Sequence, residues 1–351
     1  MITFLIFLPF LLFFVVIAVY GERKISAFVQ TRVGPIEVGP FGLFQTIADL
    51  LKMLQKEDIR PFAIDKFLFL IAPLIVFASV FTGYSVLPIT QGIAGSEIST
   101  GVFFLLGVIS LDVLGILMAG WGSNNKFSVL GAMRSVAQIV SYEIPLGLSI
   151  LAVVMLAGTL NLQEISVLQG VQSESPAYFL GIHSLEVTDI GGILTWNIFQ
   201  MPILFVAFVI FFISSLAEAN RVPFDLPESE SELIGGYHTE YSGFRWGLFM
   251  LAEYGMMLLV SFLAAILFFG SWQSPLPNVG SFTLGDWTNG VVWGIFWLFL
   301  KAMFFIVLQM MVRWTYPRLR VDQLMTLSWK YLIPISIFVL FIVGIWKLAL
   351  V

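Results

Sequence analysis

The sequence predicts an all-α polytopic membrane protein, and three observations carry that expectation. Hydrophobic residues make up 59% of the chain and charged residues only 11%, whereas a soluble domain carries about a quarter charged residues. Eight segments reach the roughly 20 largely apolar residues that a spanning helix needs. Of the 17 Lys and Arg, 15 fall in alternating loops, as the positive-inside rule requires of a chain that weaves through a bilayer. The absence of cysteine excludes disulfides, thiolate metal sites, iron–sulfur ligation and cysteine nucleophiles. His183 and His238 lie too far apart in sequence to suggest a histidine metal site. A net charge of −5 argues against a nucleic-acid partner.

The spans are expected at roughly 2–20, 67–87, 101–121, 135–160, 196–217, 246–269, 291–312 and 331–350, in one membrane domain covering 1–351. The first begins apolar, with no basic n-region and no small-residue cleavage motif, and is expected to be retained rather than removed as a signal peptide. No internal repeat is visible, which gives an inverted-repeat transporter little support. The first loop holds Arg23, Lys24, Arg32, Lys52, Lys56, Arg60 and Lys66; the third holds Lys126 and Arg134. The fifth holds Arg221 and Arg245, and the seventh, with its flank, Arg313, Arg318, Arg320 and Lys330. The odd loops are therefore expected on the cytoplasmic side and both termini on the periplasmic side. The even loop over 160–195, with Glu164, Glu174, Glu186 and Asp189, reads as an ordinary exterior loop.

Within the first loop, residues 41–56 place Leu43, Phe44, Ile47, Leu50, Leu51 and Leu54 at helical spacing, with Gln45, Asp49, Lys52 and Lys56 opposite. This is an amphipathic helix too polar to span, suited to lying along the membrane interface. Amphipathicity alone allows a surface helix that merely packs on its neighbours, or one wall of a portal for an amphiphilic ligand.

Four ionisable residues, Asp112, Glu143, Glu253 and Lys301, fall inside spans. Each costs about 2.5–3.5 kcal/mol at a helix centre, and such residues face wet interiors and find partners. Glu143 precedes Pro145 in SYEIPLG; the proline removes a backbone hydrogen bond and opens the helix near the carboxylate. Glu253 and Lys301, on different spans, are candidate ion partners. Singly, each suits inter-helix glue as well as function; together they suggest a polar path into the membrane.

The stretch from Glu218 to Tyr254 carries seven carboxylates, Glu218, Asp225, Glu228, Glu230, Glu232, Glu240 and Glu253, against Arg221 and Arg245. Charge of one sign held at the lipid boundary suggests a purpose beyond solvation. Glu228, Glu230 and Glu232 crowd together, so their charges repel and their protonation is coupled. Pro223, Phe224 and Leu226 interleave with Arg221 and Asp225, a packed rather than fluid composition. The later segment RWTYPRLRVDQLM, 313–325, offers Arg318 and Arg320 to a partner's carboxylates, or simply obeys the positive-inside rule.

Five segments in order, GERKISAFVQTRVGP, IADLLKMLQKEDIRP, GWGSNNKFSVLGAMRSVAQIVSYEIPL, EANRVPFDLPESESELIGGYHTEY and RWTYPRLRVDQLM, closely resemble the membrane subunits that line the quinone tunnel of respiratory complex I, NADH:quinone oxidoreductase. That family takes in the bacterial tunnel subunits and the first mitochondrially encoded subunit of animals. The resemblance runs over the whole chain. It implies a subunit of a proton-translocating enzyme, sited in a bacterial cell membrane, with no redox centre of its own. Ubiquinone or menaquinone would be the substrate; NADH, FMN and iron–sulfur clusters would belong to partner subunits. Those partners would be the quinone-reducing peripheral subunits docked on the odd loops, the small membrane subunits and the antiporter-like subunits. By position, Arg23, Arg32, Asp49, Arg221 and Asp225 would border the tunnel. Glu143, Glu218, Glu228, Glu230, Glu232, Glu253 and Lys301 would relay protons or charge. Asp112 has no evident counterpart in the pattern. Two other readings stay open: the anchor of an energy-converting hydrogenase-type complex without quinone, and a stand-alone ion transporter.

Overall fold

The computed structural model describes residues 2–350 except 97, 172–175, 177, 182–184, 227–229 and 279–283; for 2–6, 94, 230, 231 and 350 it describes the backbone alone. His183, Glu174 and Glu228 thus lie outside the described residues, as does the side chain of Glu230.

The chain runs as a succession of helices: α1 Ile2–Val29, α2 Gln45–Gln55, α3 Lys66–Gly83, α4 Gly101–Ile109, α5 Leu111–Gly122, α6 Lys126–Ala157, α7 Leu162–Val167 and α8 Asn197–Gln200. There follow α9 Ile203–Glu218, α10 Glu230–Leu233, α11 Gly243–Phe268, α12 Leu284–Trp287, α13 Val291–Thr315, α14 Val321–Thr326 and α15 Ile333–Leu350. A π-helical turn, Leu327–Leu332, joins the last two. A short antiparallel pair, β1 Pro88–Thr90 with β2 Ile93–Ala94, lies between α3 and α4.

Among the described residues, six helices are long and apolar enough to cross a membrane: Lys66–Val86, Gly101–Gly122, Lys126–Ala157, Gly243–Phe268, Val291–Thr315 and Val321–Ala349. Ile203–Glu218 is apolar but shorter. The segment at 2–20 is the first part of α1, which runs on to Val29, and the segment at 196–217 is divided into α8 and α9 at Pro202. The segment at 101–121 is two helices that meet at Ser110, whose Oγ donates to the Leu106 carbonyl at 2.9 Å.

α6 begins nine residues before the expected start at 135. Asn125 caps it, its side-chain oxygen accepting from the Phe127 amide at 2.9 Å. The first turns read as polar because they pack on the segment between α10 and α11 instead of on lipid. Ser128 Oγ donates to the Tyr237 carbonyl at 3.0 Å. At Gly131 a Cβ would stand 2.8 Å from Gly236 Cα, so only glycine permits this approach.

α11 is the centre of the bundle. Every residue from Tyr254 to Phe268 is buried, as befits a helix that is apolar all round. α1, α2, α3, α9 and α13 pack on it, while α6 packs on α5, α9 and α15. Phe304 on α13 and Phe338, Phe341 and Ile345 on α15 are exposed, the inverse of a soluble bundle.

Two prolines tie spans to their neighbours. Pro145 lies inside α6, which continues through it. Its missing N–H frees the carbonyl four residues back, and that Ser141 carbonyl accepts from Ser328 Oγ at 2.6 Å. Pro73 lies inside α3 in the same way, and the freed Phe69 carbonyl accepts from the Tyr241 hydroxyl at 3.1 Å.

Candidate functional site

The start of the acidic stretch, residues 218–226, turns inward. From the end of α9 the chain enters the bundle through a cis Val222–Pro223 peptide, and Glu218, Arg221 and Asp225 are only 2%, 5% and 4% exposed. Gln138 on α6 fixes the depth of this segment: its amide donates to the Ala217 carbonyl at 2.9 Å and to Asn220 Oδ1 at 3.2 Å. Phe224 packs edge-on against Tyr142 with centroids 5.1 Å apart. A solvated loop would show none of this.

Arg221 belongs to an ionic cluster centred on Glu22, in the last turns of α1. Its Nη1 lies 3.3 Å from Glu22 Oε2, and its guanidinium stacks 4.2 Å from the Tyr254 ring centroid. The Tyr254 hydroxyl donates to the same Glu22 oxygen at 2.6 Å, and Arg313 pairs with Oε1. Burial works against the charge on Arg221, but Glu22, then Tyr254 and Glu253, outweigh it and hold the guanidinium above its ordinary pKa. Arg221 Nε and Nη2 are buried with no hydrogen-bond partner among the described residues. Glu253 is half-buried and near enough to Arg221 for their charges to interact.

Asp225 pairs with Arg318 Nη2 at 2.9 Å. That arginine thus serves a carboxylate of its own chain, where the sequence offered either a partner's carboxylate or no more than the positive-inside rule. Arg23 pairs with Asp49 at 2.6 Å and joins the end of α1 to α2. Arg32 is exposed and reaches Ser26 Oγ at 3.4 Å. α2 packs on α1 and α11, and its apolar residues Ile47, Leu50, Leu51 and Leu54 are 40–55% exposed. Arg245, 3.1 Å from Asp58, anchors the chain leaving α2 to the start of α11.

A second group of acids lies deeper. Asp112 on α5, Glu143 on α6 and Glu218 at the end of α9 are near enough for their charges to act on one another. Glu232 is set apart, half-exposed and 2.5 Å from Arg134, and Glu240 accepts from Asn125 Nδ2 at 2.6 Å.

Lys301 does not join Glu253. Gln309 Nε2 lies 3.4 Å from Ser261 Oγ, which sets the register of α13 on α11. The helices are antiparallel, so Glu253 lies about 12 Å to one side of that level and Lys301 about 12 Å to the other, at 1.5 Å per residue. Lys301 instead donates to the Ser271 and Gln273 carbonyls at 3.0 and 2.8 Å, beyond the far end of α11. Its ammonium sits 4.6 Å from the Trp196 ring centroid. The expected ion pair is overturned by this stagger.

The residue pattern alone did not single out Glu22, Tyr254 and Arg313 as a cluster. A signal was present for the first: Glu22 stands in the ERK run, where the basic neighbours dominate. Among the described residues no group of His, Cys, Asp and Glu converges as a metal site.

Comparison with known proteins extends this picture. The family described as NADH dehydrogenase matches residues 2–344. An NADH-quinone oxidoreductase subunit of Cytophaga hutchinsonii is 53% identical over 352 residues, covering 97% of this chain and 96% of the relative. The corresponding subunit of Chlorobaculum parvum is 52% identical over 328 residues, covering 93% and 86%. That of Bacteroides fragilis is 48% identical over 324 residues, covering 92% and 83%.

Proposed function

The chain belongs to the NADH dehydrogenase family, and from that premise we propose that it is the membrane subunit of a proton-pumping NADH:quinone oxidoreductase that admits quinone and passes the effect of its reduction to proton translocation. The observation that carries this reading is the inward-turned start of the acidic segment, with Glu218, Arg221 and Asp225 buried and Arg221 held between Glu22 of α1 and Tyr254 of α11. Its relatives are each named as subunits of an NADH-quinone oxidoreductase, which favours quinone use over a hydrogenase-type anchor.

In this reading the chain makes eight spans in a bacterial cell membrane, with both termini on the periplasmic side. α2 lies along the cytoplasmic interface with its apolar face in the acyl region. The quinone tail enters between α1, α2 and α11, bordered by Arg23, Arg32 and Asp49. The headgroup passes towards Arg221 and Asp225, where the two uncommitted guanidinium nitrogens meet its carbonyl. Electrons arrive from NADH through flavin and iron–sulfur clusters of peripheral subunits docked on the odd loops. Quinone takes up two electrons and two protons. The negative charge that precedes protonation acts on Glu218, Glu228, Glu230 and Glu232, and through Glu143 and Glu253 on the neighbouring small and antiporter-like subunits. Clustered carboxylates answer such a charge by shifting protons among themselves. Lys301, at the far end of α11, serves the exterior side of the same path.

Asp225→Asn and Glu228→Gln test the reading. In the assembled complex each is expected to lower quinone reduction at least ten-fold, while the flavin-site reaction with an artificial acceptor stays at the wild-type rate. Full quinone activity in both variants would sink it.

A further inference from the structure

Asp112 is a buried acid for which the proposed relay has no use. It is 7% exposed on α5, and Glu218, at the end of α9, is 2% exposed. Asp112 Oδ1, Glu143 Oε1 and Glu218 Oε2 are all buried with no hydrogen-bond partner among the described residues. The charge of Glu143 acts on Asp112, and both act on Glu218.

Among the described residues, the cations on the elements packed around these acids are set apart or engaged elsewhere; His238, between α10 and α11, and Lys330, in the π-helical turn, lie on segments that pack on α6 and form no ion pair with them. α3 carries only Lys66, at its first residue, and α4 carries none. On α6, Lys126 is at the first residue and Arg134 is paired with Glu232. On α11, Arg245 is paired with Asp58, and Glu253 is a further acid, on the Arg221 side. Lys347 of α15 donates to the Met155 and Leu156 carbonyls at the far end of α6. Among the described residues no cation forms an ion pair with any of the three.

A purely structural aspartate at this place would need a cation or a donor, since an uncompensated buried charge is the arrangement proteins avoid. A proton supplies what the side chains lack. Placed on one carboxyl, it removes one of the repelling charges.

We infer that Asp112 is a proton-holding residue that shares protons with Glu143 and Glu218 in one coupled cluster, extending the carboxylate path into α5. The sharing rests on the geometry of the three acids; the link to pumping rests on the function proposed above.

The test uses the intact complex carrying Asp112→Asn, reconstituted in proteoliposomes. Asparagine is the neutral isostere of a protonated aspartate, so the variant is expected to assemble fully and to keep the flavin-site reaction. Infrared difference spectra between oxidised and quinol-reduced states are expected to lose a protonated-carboxyl C=O band. Asp112→Glu is expected to restore that band at a shifted frequency. Protons pumped per quinone reduced should fall at least two-fold in Asp112→Asn. Spectra and pumping that match wild type in the assembled variant would overturn the inference, and so would a failure of Asp112→Asn to assemble. Asp225→Asn and Glu228→Gln separate the two readings. If both keep full quinone activity while Asp112→Asn loses the band, the relay falls and the proton sharing stands. If both lose quinone activity and Asp112→Asn behaves as wild type, this inference falls alone.

Discussion

Two buried clusters flank the inner end of α9 and treat charge in opposite ways. Around Glu22, each carboxylate oxygen meets an arginine, and Tyr254 adds a hydrogen bond. Around Glu218, three acids gather and no cation comes to them among the described residues. The residues that begin and end this contrast, Glu218 and Arg221, are separated by two positions. The paired cluster is committed: its charges hold α1, α11, α13 and the acidic segment in one arrangement. The acid cluster is uncommitted, and in the function proposed above its protonation answers an incoming charge. A device that converts quinone chemistry into charge movement needs both kinds, one to hold geometry and one to respond.

Glu22→Gln attacks the committed side and carries the largest expected effect. It leaves Arg221, 5% exposed, without its carboxylate, and breaking a buried ion pair from one side costs about 3–5 kcal/mol. The yield of assembled complex and its thermal dissociation temperature should both fall sharply. An unchanged temperature would mean that the cluster around Glu22 is no more than an incidental contact.

Glu218→Gln probes the other side, and the stability change should be small and opposite in sign. The change replaces a buried carboxyl that has one orphaned oxygen with a neutral amide and relieves repulsion from Glu143 and Asp112, a gain of about 1 kcal/mol at most. Quinone-linked pumping should drop while thermal stability holds or rises. A loss of stability as large as that of Glu22→Gln would erase the contrast between the clusters.

Arg134→Ala sets the scale at the rim. Its partner Glu232 is 58% exposed, and exposed pairs contribute about 0–1 kcal/mol. Thermal stability should change little, and the difference should vanish near 1 M salt, where the Debye length is about 3 Å. A large, salt-insensitive loss would place this pair with the committed cluster.

The sequence shows where the chain turns apolar, and that sufficed for the helices now seen as α3, α5, α11, α13 and α15. It did not show where polar turns are covered by the protein itself. The first nine residues of α6 carry Lys126, Ser128 and Arg134, and only the folded loop reveals that Tyr237 and Gly236 cover them. Burial of the acidic segment was legible in part, because Pro223, Phe224 and Leu226 sit among its charges. The pairing of Glu22 with Arg221 was not, since residues 199 positions apart meet only through the packing of α1 on α11. The suggested pairing of Glu253 with Lys301 failed for a related reason: composition gives each helix its length, but the vertical offset between neighbours is decided by side-chain packing. The carboxylates themselves were visible as anomalies inside apolar runs, while their separation into paired and unpaired groups was not.

The hydroxyl of Tyr241 replaces the bond that Pro73 denies to α3, and its ring lies flat on Phe69 with centroids 4.0 Å apart. Tyr241 comes from the same inter-helical stretch as Arg221 and Asp225. Losing Tyr241 would therefore leave the Phe69 carbonyl of α3, a helix packed on the α5 that carries Asp112, without the bond that covers it.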